Sequence, residues 1–76
     1  MNAQRRKQIE AVESKIDDLI TEIDSIMDEE QQAFDSMPES LQASEAGEKS
    51  ESAISSLENA RDDLENIKAS LEEART

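Results

Sequence analysis

Ile9, Val12, Ile16, Leu19, Ile23 and Ile26 recur at alternating intervals of three and four residues, and Glu30 and Ala33 continue the frame. In the second half of the chain Ala46, Ser50, Ala53, Leu57, Ala60, Leu64, Ile67, Leu71 and Ala74 follow the same rule. That spacing lays one stripe along an α-helix and is the heptad signature of coiled-coil helices. The pattern predicts an all-α chain with helix 1 over residues 3–36 and helix 2 over residues 44–75.

Between them, residues 37–43 carry the punctuation. Pro38, the only proline, disfavours helical backbone at Met37 and suits the first turn of a helix. A short helical turn is expected from Pro38 to about Gln42. Ser44 is a plausible N-cap for helix 2, with Glu45 and Glu48 in its first turn. Gly47, the only glycine, is unfavourable so early in a helix unless it allows a close backbone approach, expected here to helix 1.

The two stripes mirror each other about the turn. Folding the chain back pairs Ile9 with Leu71, Val12 with Ile67, Ile16 with Leu64, Leu19 with Ala60, Ile23 with Leu57, Ile26 with Ala53, Glu30 with Ser50 and Ala33 with Ala46. The expected architecture is therefore an antiparallel two-helix hairpin of coiled-coil type. At the polar layer the seam is expected to fray, with Glu30 turning to solvent as long side chains readily do. The alternative is a polar layer that fixes register.

A second stripe, Ile20, Met27 and Phe34, runs beside the first on helix 1, and Ile54 flanks the stripe of helix 2. Two helices cannot bury both. A homodimer forming a four-helix bundle would, with Ile20, Met27, Phe34 and Ile54 at its interface toward the turn end. The other possibility is a small cluster of Phe34, Met37 and Leu41 that caps the turn.

Composition narrows the function. There is no Cys, His, Trp or Tyr and only one Phe, so thiol, imidazole and common zinc chemistry are unsupported, and an aromatic-centred core is not expected. No run is apolar for long enough to span a membrane, and the start of the chain lacks the continuous apolar segment of a signal peptide. A soluble protein of the cytoplasm is expected. Asp24 and Asp28, one turn apart, could hold a divalent ion only weakly. No metal, cofactor or catalytic site is expected, and the chain is read as a non-enzyme.

The net charge of −12 is unevenly spread. Residues 16–48 hold eleven acids and no base, whereas residues 1–15 hold four bases against two acids. Such a field repels nucleic acid and attracts a basic protein surface. Arg5, Arg6 and Lys7 lie unfavourably at a helix N-terminus and are expected to pair with Glu72 and Glu73. The partner-binding candidates are Asp24, Asp28 and Glu29, with Phe34, Met37 and Leu41 as apolar anchors near the turn.

The centre of the chain has the form Met-Pro-Glu-x-Leu-Gln, from Met37 to Gln42, followed by Ser-Glu-x-Gly-Glu, from Ser44 to Glu48. It resembles a group of short acidic proteins encoded by phages and prophages, mostly of Gram-positive bacteria. The resemblance implies a phage-encoded protein acting in the bacterial cytoplasm, and it carries over no active residues. The expected function is an interaction protein that binds a host or phage protein through its acidic helical surface, as an inhibitor or nucleic-acid mimic. The alternative is a structural or assembly coiled-coil module with no specific inhibitory role.

Overall fold

The computed structural model describes residues 1–76 and is all-helical. Helix α1 covers Ala3–Asp35, the four-residue α2 covers Glu39–Gln42, and α3 covers Glu45–Ala74. The molecule is a rod of 58 × 15 × 12 Å. No helix is long and apolar enough to cross a membrane.

Local chemistry sets the ends of the helices. Asn2 caps α1, its Oδ1 accepting from the Arg5 amide at 2.8 Å. At the other end the Ser36 amide donates to the Gln32 carbonyl and the Met37 amide to the Phe34 carbonyl, closing α1 just before Pro38. Pro38, with φ −57° and ψ 151°, then serves as the N-cap of α2. Ser44 occupies the N-cap position of α3, but its hydroxyl donates backward to the Leu41 carbonyl instead of accepting from α3.

Residues distant in sequence meet between α1 and α3. Ser50 bonds Glu30, Arg61 bonds Asp24, Lys68 bonds Asp17 and Arg75 bonds Glu13, so residue numbers fall along α3 as they rise along α1. Only four residues are buried, and Ile16 is the sole apolar side chain among them. The rod thus has a seam rather than a core.

At alternate positions the seam is shifted from the expected frame by one residue on each helix. On α1 the covered positions are Ile9, Glu13, Ile16, Ile20, Ile23, Asp24, Met27, Glu30 and Phe34, and on α3 they are Gly47, Ser50, Ile54, Leu57, Ala60, Arg61, Leu64, Lys68 and Leu71. Ile9, Ile16, Ile23, Leu57, Leu64 and Leu71 are covered as expected, and Ser50 meets Glu30. The alternate layers do not hold: Val12, Leu19, Ile26 and Ile67 are 44%, 46%, 52% and 49% exposed. Ile20, Met27, Phe34 and Ile54, expected at a dimer interface, are instead partly covered by their own chain. Two features accompany the shift, side-chain size and the placement of the bases of α3. The expected frame would turn Ala46, Ala53, Ala60 and Ala74 inward, and burying alanine removes little apolar surface from water. The observed frame turns in Ile20, Met27, Phe34 and Ile54, and it brings Arg61 and Lys68 to the seam while Ile67 turns out.

Two further expectations are corrected. Glu30 does not swing out to solvent: its Oε1 accepts a 2.6 Å hydrogen bond from the hydroxyl of Ser50, which is only 4% exposed. Nor does Gly47 make room for α1. A Cβ there would overlap the Gln42 carbonyl oxygen, so the tight approach is to the end of α2. Gln42 in turn donates from its side-chain amide to the Phe34 carbonyl at 3.0 Å. This one residue ties α2 both to the last turn of α1 and to the start of α3.

Gly47→Ala should therefore destabilise the protein, although alanine is the better helix former by about 1 kcal/mol. Overpacking against a backbone carbonyl should give a net loss of about 1–3 kcal/mol. Urea unfolding followed by circular dichroism reads this directly, and an unchanged or raised midpoint would contradict the contact.

Candidate functional site

Three ion pairs cross one flank of the seam at heptad intervals. Glu10, Asp17 and Asp24 recur every seven residues on α1, as do Arg61, Lys68 and Arg75 on α3. Arg61 Nη1 lies 3.2 Å from Asp24, Lys68 Nζ 2.7 Å from Asp17, and Arg75 Nη1 3.8 Å from Glu10. Arg75 Nε also donates to Glu13 at 2.6 Å, and the Glu13 side chain is only 8% exposed. A hydrogen bond from each base to its carboxylate raises the pKa of Arg61, Lys68 and Arg75, while partial desolvation works against the rise. This ladder replaces the expected closure of the open end. Arg5, Arg6 and Lys7 make no ion pair, and the closing contact runs from Arg75 back to Glu10 and Glu13.

Toward the turn, the same flank opens into a groove of about 300 Å³. Gln31 and Phe34 of α1 and Glu51, Ile54, Ser55 and Glu58 of α3 line it. Phe34 and Ile54 are half-buried and form its apolar part, while Glu51 and Glu58 stand exposed, two turns apart on α3. No base engages either carboxylate. Helical periodicity explains the site. At the position where Asp17 and Asp24 meet bases, the next heptad offers neutral Gln31, and α3 offers Ile54 in place of a base. The ladder stops there, and the gap leaves Phe34, the only aromatic residue, partly exposed.

The partner-binding candidates do not form one surface. Phe34 lies in the groove. Asp24 is occupied by Arg61. Asp28 and Glu29 are exposed, and at 100° per residue Glu29 points well away from the flank that carries Asp24. Met37 is half-buried and Leu41 is 47% exposed, both beyond the end of α1. The long acidic run of residues 16–48 places the expected site on α1, whereas Glu51 and Glu58 lie on α3. The signal was available in Ile54, Glu51 and Glu58, which share one flank of helix 2. No three acidic side chains converge as metal ligands would.

The ladder makes two predictions. A pKa raised by folding contributes stability that is fully present below the unfolded value and lost as pH rises through the folded one. For Lys68 the loss should begin above pH 10.5. With no Tyr or Cys titrating in that range, thermal melts should show a falling midpoint there, and Lys68→Gln should weaken the fall. Arg75→Ala should lower the midpoint more than Lys49→Ala. The first leaves Glu13 covered without its donor, whereas Lys49 and Glu45 are 77% and 82% exposed. Equal effects would mean that the Glu13 contact adds nothing.

Comparison of the chain with protein-family models, with curated proteins and with solved structures finds no match.

Proposed function

We propose that the chain is an antiparallel helical hairpin of coiled-coil type that pairs with a second copy into a four-helix bundle. It acts, on this reading, by binding a protein with a basic surface and without catalysis. The observation that carries the binding reading is the groove, where a Phe34–Ile54 floor lies beside the unpaired carboxylates of Glu51 and Glu58. Interface hot spots need desolvated apolar or aromatic groups, and charge alone gives fast, weak and salt-sensitive association. The groove supplies the first and the surrounding acidic field the second.

The likeness of residues 37–48 to short acidic phage proteins supports a phage-encoded chain with its partner in the bacterial cytoplasm. A surplus of carboxylates along a rod is also the arrangement that imitates a row of phosphates. This favours as partner a protein with a nucleic-acid-binding groove, which the chain would inhibit by occupying it. The second reading is an assembly module whose acidic surface only keeps it dissolved. The uncovered stripe of Val12, Leu19, Ile26 and Ile67 favours that reading.

Capture from bacterial lysate, followed by binding measurements on the partner recovered, separates the two. Under the binding reading, Phe34→Ala should weaken the complex by about tenfold or more while the helix content stays unchanged. Glu51→Gln combined with Glu58→Gln should lower the association rate and flatten its salt dependence. DNA should compete for the same partner if the carboxylates imitate phosphates. Binding that survives all of these changes would place the contact outside the groove. Recovery of no partner at low salt would leave the assembly module standing.

A further inference from the structure

We infer that the flank bearing Val12, Leu19, Ile26 and Ile67 is where a second copy of this chain docks, with the two copies antiparallel. The turn of each copy then lies over the open end of the other. This rests on the dimer proposed above and assigns its surface and orientation.

The flank is defined by exclusion. Asp17, Asp24 and Glu13 meet Lys68, Arg61 and Arg75 on one side of the seam, and the groove lies on that same side. Val12, Leu19 and Ile26 lie one position away from the seam in the other direction around α1, as do Ala53, Ala60 and Ile67 around α3. They form one continuous apolar face with Ala33 and Ala46 at its turn end. A chain whose only buried apolar side chain is Ile16 has little else to stabilise it, and exposed contiguous apolar surface of this kind marks an interaction site. One whole side of a rod 58 Å by 15 Å measures roughly 870 Å², so a copy must dock along its full length to reach the area of about 800 Å² per partner of a standard interface.

Three features of the face point to a second copy, and two of them set its direction. The first is side-chain volume. At the open end both residues of a layer are large, Val12 and Ile67, and at the turn end both are small, Ala33 and Ala46. Antiparallel copies set large against small at each end, giving a bundle of even width. Parallel copies would stack four large residues at one end and four alanines at the other.

The second is charge. The open end, residues 1–15 with 62–76, carries six bases against seven acids, whereas residues 16–61 carry two bases against thirteen. Parallel copies would bring the two strongly acidic regions together along their whole length. Antiparallel copies place each turn beside a nearly neutral end, and like-charge repulsion falls.

The third is the rim. With Leu19 of one copy facing Ile26 of the partner subunit, Lys15 comes level with Glu29 of the partner subunit, and Lys49 with Asp63 of the partner subunit. Glu22 meets its own symmetry mate near the two-fold axis, exposed to solvent and screened by salt. These rim pairs suit a self-complementary two-fold contact.

Two experiments on the full chain decide the matter. Sedimentation at high micromolar concentration should give twice the 8.5 kDa monomer mass for the native protein. Leu19→Glu combined with Ile26→Glu should give a helical monomer. A native protein that sediments as a monomer overturns the dimer altogether. A native dimer that persists in the double variant overturns this face and leaves the dimer standing.

The chain has no cysteine, so single-cysteine variants report orientation without background. They also retain the apolar face if the charged variants fail to fold. A mixture of Val12→Cys and Ala33→Cys chains should form the mixed disulfide on oxidation. A mixture of Val12→Cys and Ile67→Cys chains should not. These positions differ by about 30 Å along α1 between the two arrangements. Efficient Val12–Ile67 cross-linking without Val12–Ala33 would establish the parallel form and overturn the proposal.

Discussion

The bases on one flank of α3 govern the way the two long helices meet. Both helices are acidic, and side by side they would repel along their length. Arg61, Lys68 and Arg75 stand one heptad apart and reach Asp24, Asp17 and the Glu10–Glu13 pair. To do so they must lie beside the seam with their stems over its apolar edge and their charged ends at the carboxylates, as amphipathic side chains do. That requirement sets the rotation of α3 about its own axis. The rotation then decides which residues are covered, which line the groove and which are left on the opposite flank. Each pair is partly exposed and individually weak. Their shared spacing makes them act on the same degree of freedom.

A ladder of period seven is indifferent to a slip of one whole heptad, which would lose one rung and keep the others. Two polar contacts near the turn remove that freedom. Ser50 gives its hydroxyl hydrogen to Glu30, and a slipped register would leave a covered hydroxyl facing a different neighbour. Gly47 fits under the Gln42 carbonyl at a distance no side chain allows, so a slip that brought a neighbouring residue to that place would clash. Coarse alignment is electrostatic, and fine alignment is steric and hydrogen-bonded.

The helical class was legible because unbroken 3–4 spacing on both sides of Pro38 leaves a helix as the only economical way to bury one stripe. Half of the layers were legible too: Ile9, Ile16, Ile23 and Leu57, Leu64, Leu71 belong to either choice of frame. The frame itself was not legible, because hydrophobicity alone does not separate Val12, Leu19 and Ile26 from Ile20, Met27 and Phe34 as the inward set. The missing information lay in charged residues, since Glu10, Asp17 and Asp24 match Arg61, Lys68 and Arg75 rung for rung. The groove was less visible for the same reason. It exists where that matching stops, at Gln31 and Ile54, and an interruption in a pattern goes unseen until the pattern is recognised.

The cross-links are nested, with a consequence for the order in which the structure forms. Gln42 bonds Phe34 across a separation of 8 residues, Ser50 bonds Glu30 across 20, Arg61 bonds Asp24 across 37 and Arg75 bonds Glu13 across 62. Each link, once made, leaves only a short additional loop to close for the next, and loop-closure entropy grows slowly with length. The chain can therefore close like a zip from its middle, never bringing distant segments together in one step. Folds assembled through such graded, mostly local steps reach the native state quickly, and they come apart in the reverse order. The two termini, last to join, are the first to separate, and residues 34–50 are the point from which closure starts.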